Sequence, residues 1–321
     1  MLSLLQFHGV LDLHADEYGI SILNRRGIQV NEDTGEVATI QQLRASGIFS
    51  DPNDFSLVLV TSILVSTDLP LSAAPFTRPV WLVTLAISSY AFALTKSRGG
   101  FLSLLAGIAV YAITRAGWKR ALVAGVFALP LLLFVFSGRQ TSINVSDQND
   151  TAFGRVALWY EGIQQFKSSP LFGMGFGEFG ERVGLVVHNS YVHSYTEMGF
   201  LGGTLFACAI GLPLMAMYRL RRGQSPDGAF ELNSLQPVLF SVLAAYAVGI
   251  FSISRAYAIY TYLVLGVSTA FLCVAAEQVS GVIQPLNARL VRRMLVGSVA
   301  LFLVIFVFVR VVFWMSGGSS T

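Results

Sequence analysis

Three residues with reactive chemistry stand in polar interruptions of an otherwise apolar chain. Arg98 lies in TKSRGGFL, Arg155 in GRVALWYEGIQQF and His188 in VVHNSYVHSYTEMGFLGG. A guanidinium presents a planar fork of donors that grips a phosphate through two parallel hydrogen bonds. An imidazole exchanges its proton near neutral pH, so His188 is a candidate general base.

The neighbours of each residue sharpen these readings. Gly99 and Gly100 follow Arg98 and permit a tight turn in which backbone approaches a ligand closely. The competing reading is a helix-end Arg98 that snorkels to the headgroups. Around Arg155, the residues Val156, Trp159, Ile163 and Phe166 recur at helical spacing. A cation near that helix start opposes the macrodipole, so an anionic partner explains it better than helix stability does. From the local sequence alone, a salt bridge to Asp150 or Glu161 is the favoured reading.

Beside His188, Asn189 or Tyr191 could orient the base or a substrate. His193 is five positions on, which on a helix turns it roughly 140° away from His188. Glu197 is four after His193 and could pair with it. For any single histidine here, a structural hydrogen bond is the alternative role.

Between the two motifs runs SSPLFGMGFGEFG. Pro170 ends the preceding helix, and the glycines predict a shaped loop. Gly175, Gly177 and Gly180 formally match a dinucleotide fingerprint, with Glu197 downstream. No strand precedes them and no βαβ unit encloses them, so that reading is rejected.

The elements that must position these residues are helices in a membrane. Hydrophobic residues make up 54% of the 321 residues and charged ones only 12%, about half the charge of an ordinary soluble domain. Eight apolar stretches can be read, at 54–67, 79–95, 99–114, 120–136, 199–218, 237–253, 256–275 and 295–315. Several fall short of the ~20 residues that an upright crossing needs, which implies a thinned bilayer or helices that outrun their apolar parts. Arg115, Lys119 and Arg120, then Arg219, Arg221 and Arg222, then Arg289, Arg292 and Arg293 fall on one side. That side is cytoplasmic by the positive-inside rule. Segment 137–198 then faces outward, with Lys96–Arg98 and Arg255. Residues 1–53 face outward too and lack a secretory signal, as expected of an external loop in a longer protein. A short interfacial helix at 1–13 is the alternative.

Cys208 and Cys273 lie inside apolar runs, which excludes a disulfide framework. No zinc-type His/Cys spacing occurs. Asn144 and Asn149 open formal glycosylation sequons. The expected organisation is an external segment 1–53, a first helix group 54–136, a large periplasmic loop 137–198, a second helix group 199–315 and a tail 316–321.

Taken together, SRGG at 97–100, GRxxxW at 154–159, SPLFGMGFGEF at 169–179 and HNSYVHSYTEMGFLG at 188–202 resemble the O-antigen ligase/polymerase superfamily. GIFSDPND at 47–54 is similar to the segment that opens the core region in such proteins. The resemblance covers about residues 47–275 and follows the family's motif order. It implies an all-α polytopic membrane protein of the GT-C type, here with about eight transmembrane helices, upstream helices missing and one large periplasmic loop.

The resemblance also implies an activity, the transfer of a glycan from an undecaprenyl-diphosphate carrier at the periplasmic face of the bacterial inner membrane. The acceptor is a hydroxyl of another glycan, of lipid A-core or of a protein. By position, His188 matches the proposed base, and Arg98 and Arg155 match the arginines thought to hold the diphosphate. Asn189, Tyr191, Glu197 and Gly99 are expected to support them. No metal, cofactor or nucleic acid is implied; the lipid bilayer is a partner. A solute transporter and a non-catalytic subunit of an export complex are the competing classes. A transporter favours charged residues within the spans, which these spans almost lack.

Overall fold

The computed structural model describes residues 2–8, 25–30, 37–45, 49, 51–72, 75–135, 151–223 and 230–315. The two sequons, Asp150 and the tail 316–321 lie outside them. A short helix α1 (Leu2–Phe7) precedes an antiparallel hairpin of β1 (Arg25–Val30) and β2 (Val37–Gln42), paired from Arg25↔Gln42 to Val30↔Val37. Helices follow throughout. They are α2 (Pro52–Ser72), α3 (Arg78–Thr95), α4 (Arg98–Ala116), α5 (Trp118–Val135) and α6 (Thr151–Ser168). Then come α7 (Glu178–Val183), α8 (Ser190–Gly223), α9 (Phe230–Gly249), α10 (Ile259–Gln278) and α11 (Ala288–Met315). Among the described residues the architecture is thus helical apart from one hairpin, which no alternation in the sequence had suggested.

Each apolar stretch falls on one of eight helices, α2 to α5 and α8 to α11. Among the described residues, four helices are long and apolar enough to cross a membrane: Arg98–Ala116, Ser190–Arg221, Ile259–Gln278 and Ala288–Met315. Leu235–Gly249 is a shorter apolar helix. Helices α2, α8 and α11 outrun their apolar stretches, while α9 ends at Gly249, inside its own. At 28 residues α11 is about 42 Å long, against a hydrocarbon core of about 30 Å.

The chain forms two compact units, residues 1–141 and 142–321. In the first, α2 packs on α3 and α4, and α4 on α5, around Leu57, Val60, Leu64, Phe92, Phe101 and Leu104. Asp68 of α2 is buried there. It accepts hydrogen bonds from Tyr111 Oη at 2.6 Å and from the Arg115 guanidinium, both on α4. A carboxylate at that depth is tolerable only when paired.

In the second unit α8 is central and packs on α6, α9, α10 and α11. It is two helices joined at Gly199, whose φ of 65° and ψ of −168° are not helical. The Tyr195 hydroxyl meets Ser298 Oγ at 2.7 Å, and Thr204 Oγ1 meets the same oxygen at 2.6 Å. These bonds tie both halves of α8 to α11. Helix α6 runs antiparallel to α11, with ring pairs Tyr160–Phe313 at 4.4 Å and Phe166–Phe302 at 4.8 Å. Exposed Val296, Leu303, Val304 and Trp314 on α11 are the surface that a bilayer covers.

Candidate functional site

In the first unit, Arg98 is the first residue of α4, and Ser97 caps the helix by accepting the Gly100 N–H at 3.0 Å. The Ser97 hydroxyl in turn donates to Asn53 Oδ1 at 2.7 Å. Asn53 is held by Asp51, whose Oδ1 accepts its N–H at 2.7 Å and its Nδ2–H at 2.8 Å. Thus GIFSDPND and SRGG, two motifs separated in sequence, form one latch. Gly99 and Gly100 do not make the expected tight turn: both are buried in the first turn of α4. A Cβ on Gly100 would lie 2.3 Å from Ser56 Oγ, so this glycine admits the close approach of α2 rather than that of a ligand. Arg98 itself stands half-buried at a helix N-terminus, where backbone N–H groups and dipole favour an anion.

In the second unit, the expected shaped loop is strapped onto the break in α8. Where Gly199 interrupts the helix, the Phe200 N–H donates to the Pro170 carbonyl at 2.8 Å and the Leu201 N–H to that of Leu171 at 3.3 Å. In exchange, the Thr196 carbonyl accepts the Met174 N–H at 3.1 Å and the Glu197 carbonyl the Gly175 N–H at 3.0 Å. Four backbone groups freed by the kink are thereby satisfied, as a water-poor setting demands.

His188 sits just before α8 with φ of 55°, a left-handed conformation rarely taken by a residue with a Cβ. Asn189 follows, fully buried. Its Oδ1 caps α8 by accepting the Tyr191 N–H at 3.0 Å and the Val192 N–H at 3.2 Å. Asn189 therefore orients the helix that starts beside His188, a capping role. Tyr191 is not available to a substrate, because its hydroxyl is buried and donates to the Ala247 carbonyl at 2.9 Å.

Ser190 ties the same end to the loop between α9 and α10. Its N–H donates to the Ile250 carbonyl at 2.9 Å and its hydroxyl to that of Ile253 at 2.6 Å, while its Oγ accepts the Arg255 N–H at 2.9 Å. The backbone of Arg255 is thus joined to a residue two positions from His188. Sequence reading had counted Arg255 only as an outward charge.

Arg155 lies in the second turn of α6 and is half-buried. Val156 and Ile163 are buried as the spacing predicted. Two turns on, Gly162 brings α6 against α8: a Cβ there would lie 3.0 Å from both Thr196 Oγ1 and Val192 Cγ1. Thr196 Oγ1 donates to the Gly162 carbonyl at 3.0 Å. The expected His193–Glu197 pair forms, with Nε2 to Oε1 at 3.1 Å, and Oε1 also accepts the Phe179 N–H at 3.4 Å. Tyr257, in the loop before α10, packs edge-on to His193 with ring centroids 5.5 Å apart. Burial, then the Glu197 carboxylate, pushes its phenol pKa up, so Tyr257 keeps its proton.

Helices of spanning length and these polar helix ends define a multi-pass membrane protein. Residues 83–207 match the family described as O-antigen ligase, and over that segment the chain is similar to the O-antigen ligase/polymerase superfamily. The matched region includes Arg98, Arg155 and His188. No curated protein matches the chain.

Proposed function

We propose that this chain transfers a glycan from an undecaprenyl-diphosphate carrier to an acceptor hydroxyl at the outer face of the bacterial cytoplasmic membrane, as an O-antigen ligase or polymerase. The observation that carries this reading is that the O-antigen ligase match spans residues 83–207 and takes in both arginines and the histidine. His188 removes the acceptor proton as the acceptor oxygen bonds to the anomeric carbon. The bond from that carbon to the diphosphate oxygen breaks, and the lipid diphosphate leaves. Attack opposite the leaving group inverts the anomeric centre. Arg98 and Arg155 are each a candidate grip for the diphosphate, whose charge grows as the bond breaks. They therefore stabilise the transition state more than the ground state. Within the unit that holds Arg155 and His188, Arg255 adds a cation in the loop tied to Ser190.

The test is glycan display in cells that carry His188→Ala or Arg98→Ala at normal protein level. Each variant is expected to abolish transfer or polymerisation; normal glycan in both overturns the reading. A deletion strain separates the two activities. Accumulated lipid-linked polymer identifies a ligase, and single repeat units in place of long chains identify a polymerase.

A further inference from the structure

Two buried polar atoms near His188, Asn189 Nδ2 and His193 Nδ1, have no hydrogen-bond partner, and beside them the Tyr257 hydroxyl and the Glu197 carboxylate have each other. Asn189, His193 and Glu197 are spaced by four, so they share one side of the first turns of α8. Each has its other polar atom committed. Asn189 Oδ1 caps the helix, and His193 Nε2 and Glu197 Oε1 hold each other. Asn189 and Glu197 are 0% and 2% exposed. A buried polar atom left unpaired destabilises the fold unless something pairs with it. Two such atoms beside a hydroxyl–carboxylate pair that a ligand can share point to a ligand rather than to packing.

An aromatic path leads to these groups. The Phe176 ring packs edge-on to Tyr257 at 4.6 Å, and Tyr257 packs on His193. Phe176 is 76% exposed, so its ring opens to the outside while the other two lie inward. It stands between Gly175 and Gly177, with φ of 108° and 80°. These backbone conformations suit glycine. A pyranose ring matches this set of groups. Its hydroxyls both donate and accept, and its C–H face packs on an aromatic ring. Asn189 Nδ2 and Tyr257 Oη donate, and Glu197 Oε2 accepts. His193 Nδ1 accepts when Nε2 carries the proton towards Glu197.

We propose that Asn189, His193, Glu197, Tyr257 and the exposed ring of Phe176 form a sugar subsite, which binds one ring of the glycan being transferred. That this sugar belongs to a lipid-linked glycan rests on the proposed function; the subsite itself rests on the unpaired atoms and the ring.

The test uses the full chain in lipid nanodiscs and two probes. One is the oligosaccharide released by mild acid from the lipid-linked pool of a deletion strain; the other is undecaprenyl diphosphate alone. Tyr257→Phe removes one hydroxyl without changing shape, and Phe176→Ala removes an exposed ring. Thermal unfolding of both variants checks that they are folded. Each is expected to weaken oligosaccharide binding about tenfold, and to leave undecaprenyl diphosphate binding unchanged. Oligosaccharide that binds both variants as well as the unaltered chain, or that the unaltered chain does not bind, overturns the subsite. Failure of the unaltered chain to bind undecaprenyl diphosphate overturns the lipid-carrier reading instead.

Discussion

Gly173 and Gly199 meet backbone to backbone. A Cβ on Gly173 would lie 2.4 Å from the Gly199 nitrogen, and one on Gly199 would lie 2.5 Å from the Gly173 nitrogen. Both residues have positive φ, 75° and 65°. The contact brings the 170–175 loop close enough to exchange four hydrogen bonds with the broken helix. Either glycine to alanine is therefore expected to cost about 2–4 kcal/mol, from backbone strain and steric clash together. A melting temperature of the detergent-solubilised chain unchanged by Gly199→Ala would show that the strap does not hold the helix break.

Arg155 is expected to act through its fork as well as its charge. Arg155→Ala should lower glycan transfer by about 10²–10³-fold, in line with loss of one transition-state donor. Arg155→Lys should fall between Ala and the unaltered chain, because it keeps the charge and loses the bidentate grip. Transfer rates of the two variants, measured at equal protein level, check this. Full activity in Arg155→Ala removes Arg155 from the site.

The latch that places Arg98 makes a separate prediction about Gly100. Gly100→Ala sets a methyl group 2.3 Å from Ser56 Oγ and 2.6 Å from Ser56 Cβ, so it should reduce folded yield and transfer together. Adding Ser56→Gly removes both clashing atoms and should restore much of the yield. The surviving 3.1 Å approach to Phe92 Cε2 keeps the rescue incomplete. Equal yields for the single and double variants would mean that α2 yields freely at this point.

Asp68 and Arg115 should behave as a coupled pair. Arg115→Met strands the buried Asp68 carboxylate and is expected to cost about 3 kcal/mol or more. Asp68→Asn in the same chain removes the stranded charge and should recover a large part of the loss. A double-mutant cycle on unfolding free energy reads the coupling directly. Simple additivity of the two changes would show that the pair contributes nothing.

The sequence disclosed more of the membrane character than of the site's construction. The apolar stretches located eight helices because burial in lipid or core acts residue by residue and leaves a local trace. Helix lengths were less legible, since polar turns at the ends of α8 and α11 stay helical without an apolar signal. The spacing of Val156 and Ile163, and of His193 and Glu197, was legible for the same local reason: neighbours at three or four residues share a helix side. The role expected of Tyr191 was misplaced, because nothing local told of the Ala247 carbonyl that takes its hydroxyl.

What the sequence determined by itself was the inventory: a helical membrane chain, its two candidate phosphate grips, its candidate base and the family motifs that join them. Only the tertiary structure decided how they are held. The Ser97–Asn53 latch, the exchange of hydrogen bonds at Gly199, the link from Ser190 to Arg255 and the contact of Tyr257 with His193 and Glu197 all join residues far apart in the chain. Such contacts are set by the packing of whole helices, and no local spacing encodes them.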